Sequence, residues 1–298
     1  MTQETKTTPR AARELALPAH CGVVGGGRMG AGIAHALLLA GSQVTLVERD
    51  EESAAAARER VERAVRGSVK RGQIEYAGKA MSLLSAVPDH AGLAGAGLVI
   101  EAVPEELDLK LATLRVIEDA VGPETVIASN TSSISLDTLA AALAHPERLL
   151  GLHFFNPVPA SRLVEVVIAS ATRAGLREAA VAWVGQIKKT AVVVNNAPGF
   201  ASSRLGVTLG LEAIRMVEAG VASAEDVDAA MTLGYGHPTG PLRLTDLVGL
   251  DVRLGIARYL ERELGPRFTP PQLLVELVEQ GHLGRKSGRG FYTWNEDS

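Results

Sequence analysis

The stretch "CGVVGGGRMGAGIAHALLLAG", residues 21–41, changes its periodicity in the middle. Residues 21–24 read as a short buried strand, whereas small and apolar residues after Gly30 recur at helical spacing. Between the two lie Gly25, Gly27 and Gly30 in a G-x-G-x-x-G arrangement. The first glycine makes a tight turn, the second lets backbone approach a pyrophosphate, and the third lets the helix pack on the strand. The next apolar run, "VTLVE", ends in Glu48, eighteen residues beyond Gly30, where a carboxylate can bind the adenosine ribose hydroxyls. The pattern predicts a dinucleotide site built from Gly25, Gly27, Arg28, Met29, Gly30 and Glu48. Glu48 repels a 2'-phosphate, so the expected cofactor is NAD. The neighbouring Arg49 could serve such a phosphate, or stand as a solvated surface charge.

Further along, the apolar runs "LVIEAV", "TVIASN", "LLGLHFF" and "LVEVVIA" alternate with Ala-rich helical stretches up to about Thr190. This alternation predicts an α/β fold: a Rossmann-type doubly wound, mainly parallel sheet, followed by a smaller all-α C-terminal domain. The expected division is a loose tail at 1–18, the nucleotide-binding domain at 19–197 and the helical domain at 198–298, with the boundary at Pro198 and Gly199. Helices are expected over 200–219, 224–233, 243–263 and 270–280. The segment 52–80 is too long and charged for an ordinary crossover and is expected to project as a helical hairpin. Between Arg58 and Arg71 it carries six basic and two acidic residues, which read either as a solvated helix face or as an anion-binding surface.

The chain of 298 residues is 46% hydrophobic, enough for a sizeable core, and its net charge of -4 gives no general attraction to nucleic acid or an anionic membrane. Cys21 is the single cysteine, which excludes an internal disulfide and suits a reducing, cytoplasmic setting. The polar opening has no signal-peptide core, no apolar run is long enough to span a bilayer, and no pair of histidines has metal-ligand spacing.

One more segment carries chemistry. "GLHFFNPVPASRLVEV", residues 151–166, places His153 at a strand end, Asn156 in an Asn-Pro turn and Glu165 inside an apolar return strand. If the two strands pair, imidazole and carboxylate can meet, and a carboxylate on an imidazole fixes its tautomer and supports its protonated form, as a general base for an alcohol requires. Taken alone, Glu165 also reads as a sheet-edge charge that discourages aggregation.

From residue 21 to residue 294 the sequence resembles the short-chain L-3-hydroxyacyl-CoA dehydrogenases, including bacterial 3-hydroxybutyryl-CoA dehydrogenases. The matching motifs are "GGGRMGAGIA", "ASNTSSIS", "GLHFFNPVPASRLVEV", "NAPGF", "GHPTGPLRLTDLVGLD" and "GRKSGRGFY", in the family's order. The resemblance implies NAD-dependent oxidation of a (S)-3-hydroxyacyl-CoA to the 3-ketoacyl-CoA, or the reverse, in fatty acid metabolism such as β-oxidation, by a homodimer joined through its helical domain. It implies that His153 is the catalytic histidine and Glu165 its partner, that Ser132 and Asn156 hold the substrate's oxygens, and that Glu105, Lys110 and Asn130 line the nicotinamide-ribose end of the cofactor site. CoA lies along the helical hairpin in the family, which nominates Lys70 and Arg71 as phosphate contacts. One position departs: Ser203 stands where the family usually has a substrate-side asparagine, which puts the substrate geometry in question. Two other readings are a related dehydrogenase of a free hydroxy or sugar acid, of the L-gulonate dehydrogenase type, and a catalytically idle NAD-binding protein.

Overall fold

The computed structural model describes residues 15–294. The chain divides between Asn196 and Ala197 into two units with separate cores.

In the first unit β1 (His20–Val24), β2 (Gln43–Val47), β3 (Leu84–Val87), β4 (Leu98–Glu101), β5 (Val126–Ser129), β6 (Leu149–Phe154), β7 (Leu163–Ile168) and β8 (Thr190–Asn195) form one sheet in the order 3-2-1-4-5-6-7-8. Strands β1 to β6 are parallel, β7 runs antiparallel to β6, and β8 is parallel to β7. The Val, Ile and Leu runs form the interior strands because both faces are covered, so alternation of polar and apolar residues is unnecessary. Helices α1 (Arg28–Leu39) and α2 (Glu51–Lys70) make the crossovers towards β3, with the short α3 (Ala77–Met81) after α2. The crossover α4 (Leu107–Ala120) leads the other way, from β4 to β5, and right-handed connection puts it on the opposite face. The order therefore reverses between β1 and β4, which opens a crevice beyond the carboxyl ends of these strands. Helices α5 (Leu136–Ala140) and α6 (Leu176–Gln186) complete the unit.

Two expectations are corrected here. The segment 52–80 folds as a helix pair, the long α2 and the short α3 joined by the turn 71–76 and packed on each other, but α2 does not stand free of the domain: its Ala54, Ala57, Val61 and Val65 are buried against the unit's core. Its charges misled because two of the arginines fold back, Arg58 onto the Leu84 carbonyl and Arg60 onto that of Gly26. The tail expected to be loose up to residue 18 is held at residues 16 and 17, where the Ala16 carbonyl accepts a hydrogen bond from Trp183 Nε1 at 2.9 Å and the Leu17 N–H donates to Gln186 at 2.9 Å. Residues 1–14 of that tail lie outside the described part.

The second unit is helical: α7 (Ser202–Glu218), α8 (Ala224–Tyr235), α9 (Pro241–Val248), α10 (Leu250–Leu264) and α11 (Gln272–Glu279). The single helix expected over 243–263 is broken at Gly249, whose φ of 106° few other residues adopt. Buried Asp246 accepts the Phe291 and Tyr292 N–H groups and Trp294 Nε1, all at 2.8–2.9 Å, and so ties the "GRGFYTW" segment to α9.

Candidate active site

The glycine loop meets the steric demands of a dinucleotide cradle. Gly25 turns at φ 94°, and a side chain on Gly30 would overlap the Gly25 carbonyl, so both positions require glycine. A Cβ on Gly27 would meet nothing within 4 Å, so the N-terminus of the twelve-residue α1 is open to a bound group. Arg28 is exposed and Met29 half-buried at that terminus. At the end of β2, half-buried Glu48 accepts the Gly26 N–H at 2.7 Å and the Arg49 N–H at 3.2 Å. The Arg49 side chain turns away to Asp50 and Ser53 and is 84% exposed. These residues fit a nicotinamide dinucleotide.

At the end of β4 a buried polar network orders the next loops. Glu101 is fully buried, and one of its oxygens accepts Lys110 Nζ at 2.7 Å and the Val103 N–H at 2.8 Å, while the other accepts the Ser129 hydroxyl at 2.6 Å. Lys110, 1% exposed, also lies 3.4 Å from Glu105. Glu105 accepts the Thr131 and Ser133 hydroxyls and the N–H groups of Ser132 and Ser133, all within 3.0 Å, with the Ser132 hydroxyl at 3.2 Å. Burial works against the Glu105 charge, but the Lys110 ammonium and the bonds from Thr131 and Ser133 outweigh it and hold the carboxyl below its ordinary range. Glu105 and Lys110 thus clamp the 129–134 loop rather than forming a solvated helix-start pair. From that loop the Asn130 amide oxygen accepts the Phe154 N–H at 2.8 Å and ties it to the end of β6.

His153 and Glu165 face each other in the β6–β7 register, with Nδ1 2.8 Å from the carboxylate. Both are buried, at 7% and 0% exposure, and β8 covers the outer edge of β7, so Glu165 is not a sheet-edge charge. An ionised carboxylate only accepts, so Nδ1 carries the hydrogen and Nε2 is the nitrogen that exchanges a proton with an alcohol. Asn156 follows β6 in the exposed turn before Pro157. Seven residues of the expected constellation therefore gather at the carboxyl ends of β4, β5 and β6: Glu105, Lys110, Asn130, Ser132, His153, Asn156 and Glu165.

Residues 20–197 match the family model for the NAD binding domain of 3-hydroxyacyl-CoA dehydrogenase, and residues 199–294 match that for its C-terminal domain. The chain belongs to the 3-hydroxyacyl-CoA dehydrogenase family. It is 44% identical to a 3-hydroxybutyryl-CoA dehydrogenase of Mycobacterium tuberculosis, over 92% of this chain and 97% of that one. A 3-hydroxybutyryl-CoA dehydrogenase of Bradyrhizobium diazoefficiens is 40% identical over 92% and 94% of the two chains. Among solved structures, a (S)-3-hydroxybutyryl-CoA dehydrogenase from Ralstonia eutropha superposes with a TM-score of 0.90 at 36% identity, covering 94% of this chain and all of that one.

The first unit is thus an NAD-binding domain. Of the remaining expected residues, Lys70 is exposed at the end of α2, Arg71 caps that helix and donates to Ser68 and Gln73, and Ser203 is in the first turn of α7 in the second unit. Glu101 was not among the expected residues, although its signal is visible as the lone carboxylate inside the apolar run "LVIEAV". Cys21 is fully buried, and desolvation pushes its thiol up to about 12 despite a weaker opposing contact with Ser42, which suits packing rather than nucleophilic chemistry.

Proposed function

We propose that the protein oxidises (S)-3-hydroxyacyl-CoA thioesters, of the 3-hydroxybutyryl class, to 3-ketoacyl-CoA with NAD, and catalyses the reverse reduction. The buried His153–Glu165 pair beside an NAD cradle carries the reading. In the oxidative direction His153 Nε2 takes the hydroxyl proton of the substrate. Glu165 keeps the ring in the required tautomer and orientation and compensates the positive charge that develops on it. Ser132 and Asn156 orient the reacting oxygen. A bound NAD would be held by the 25–30 loop, Glu48 and the Glu105–Lys110 clamp, and would accept the hydride from the same carbon.

Glu48 sets the cofactor preference in this account, since its carboxylate opposes a 2'-phosphate and Arg49 is turned away. The expected result is a kcat/KM for NADH at least roughly tenfold above that for NADPH, a difference of about 1.4 kcal/mol. Equal use of the two cofactors would show that Arg49 governs the pocket.

The CoA reading places the thioester's phosphates near the end of α2. Lys70→Glu combined with Arg71→Glu is expected to raise KM for acetoacetyl-CoA several-fold at low ionic strength, less so in salt, and to leave a truncated N-acetylcysteamine thioester almost unaffected. An unchanged KM would return these charges to a solvated helix face and favour a free hydroxy acid as substrate. Exposed Leu205, Val221, Leu233 and Tyr235 in the second unit support a homodimer formed through that unit. Among the described residues no helix is long and apolar enough to cross a membrane.

A further inference from the structure

Arg253, in the first turn of α10, is 6% exposed, yet no hydrogen bond or ion pair holds its guanidinium among the described residues, and its Nε is buried without a partner. Burial pulls the guanidinium down to about 10, and no carboxylate opposes the fall. The acidic groups at this end of α9 and α10 are committed elsewhere. Asp251 accepts Lys286 Nζ at 2.6 Å, and Asp246 accepts the donors of the 291–294 segment. An arginine buried in this way gives up hydration and receives nothing in return, which is costly unless a ligand supplies the partner.

The surroundings are shaped to this side chain. A Cβ on Gly206 of α7 would lie 3.3 Å from Arg253 Nη1, and one on Gly210 would lie 3.7 Å from its Nε and 3.2 Å from the Thr245 hydroxyl. Glycine weakens a helix interior relative to alanine, so two of them in α7 have a steric use: they clear a groove in which the guanidinium lies. The side chain runs along that groove with Nε beside Gly210 and Nη1 beside Gly206. Half-buried Ser203 stands one turn before Gly206 on the same face of α7, so the fork points to the Ser203 end. Ser203 is the position that the family resemblance puts on the substrate side, with a shorter side chain than the usual asparagine.

We infer that Arg253 is a carboxylate receptor that sets substrate specificity: the protein favours 3-ketoacyl and 3-hydroxyacyl thioesters whose acyl chain ends in a carboxylate over those ending in a methyl group. The inference rests on the thioester reading above and on Ser203 facing the acyl group, and it adds the class of acyl chain. The CoA phosphates are anions too, but they lie at the opposite end of the thioester from the acyl carbons. A guanidinium fork meets a carboxylate through two parallel hydrogen bonds, and such a pair supplies what Arg253 lacks.

The test uses the full-length protein at constant NADH and compares two 3-ketoacyl thioesters of equal length, 3-oxohexanoyl-CoA, which ends in a methyl group, and 3-oxoadipyl-CoA, which ends in a carboxylate. Turnover of acetoacetyl-CoA by the unaltered protein decides the thioester reading by itself. Given that turnover, kcat/KM is expected to be about tenfold or more higher for 3-oxoadipyl-CoA, the size of one charge-assisted contact. Arg253→Met should bring the ratio close to one, through KM more than kcat, without lowering the urea midpoint, since it removes an unpaired buried charge. Arg253→Lys, which keeps the charge but not the fork, should retain part of the preference. Equal kcat/KM for the two thioesters in the unaltered protein, or a loss by the same factor with both in Arg253→Met, would overturn the assignment. So would a lower molar mass of Arg253→Met by light scattering, which would give the guanidinium to a carboxylate of a second copy of this chain.

Discussion

His153→Gln lowers kcat by roughly 10²- to 10⁴-fold while NADH affinity stays close to its original value, because general-base assistance is usually of that size and the histidine lies outside the glycine loop. Glutamine fills similar space but cannot shuttle a proton at neutral pH. Glu165→Gln is damaging through the same ring: an amide in place of the carboxylate 2.8 Å from Nδ1 no longer dictates the tautomer or offsets the charge formed during proton transfer. Steady-state kinetics of both variants, with NADH binding followed by fluorescence, provide the check. Near-normal turnover in either variant would mean that the assigned dyad is wrong.

The second large effect concerns stability. Lys110→Met leaves the Glu101 carboxylate fully buried with only the Ser129 hydroxyl and the Val103 N–H as partners. Removing one member of a buried ion pair typically costs about 3–5 kcal/mol, because the remaining charge stays out of water without compensation. The urea midpoint of the variant should fall accordingly. Adding Glu101→Gln should recover much of the loss, since it removes the orphaned charge. NADH binding should weaken as well, because the Glu105 clamp on the 129–134 loop loses its cation. A Lys110→Met variant with an unchanged urea midpoint would show that Glu101 does not depend on this pairing.

The strands that build the NAD-binding unit were legible because each is a run of Val, Ile or Leu buried on both faces. β3, "LSAV", was too short to stand out, and β8, "TAVVVN", lies at the sheet edge with exposed and half-buried positions and merges into the turn that follows. The His153–Glu165 contact was expected on the condition that two strands joined by a short loop pair, and the β6–β7 register meets that condition. In α2 the surface charges hid the packing, although Ala54, Ala57, Val61 and Val65 recur at helical spacing and record the buried face.

The central claim is that the buried pair beside the NAD cradle interconverts a 3-ketoacyl-CoA and its (S)-alcohol. The most direct measurement follows NADH absorbance at 340 nm with acetoacetyl-CoA and the purified protein. The account predicts rapid NADH loss that yields the (S)-3-hydroxy thioester and is abolished in His153→Gln. No NADH consumption with acetoacetyl-CoA, under conditions where the protein binds NADH, would contradict it.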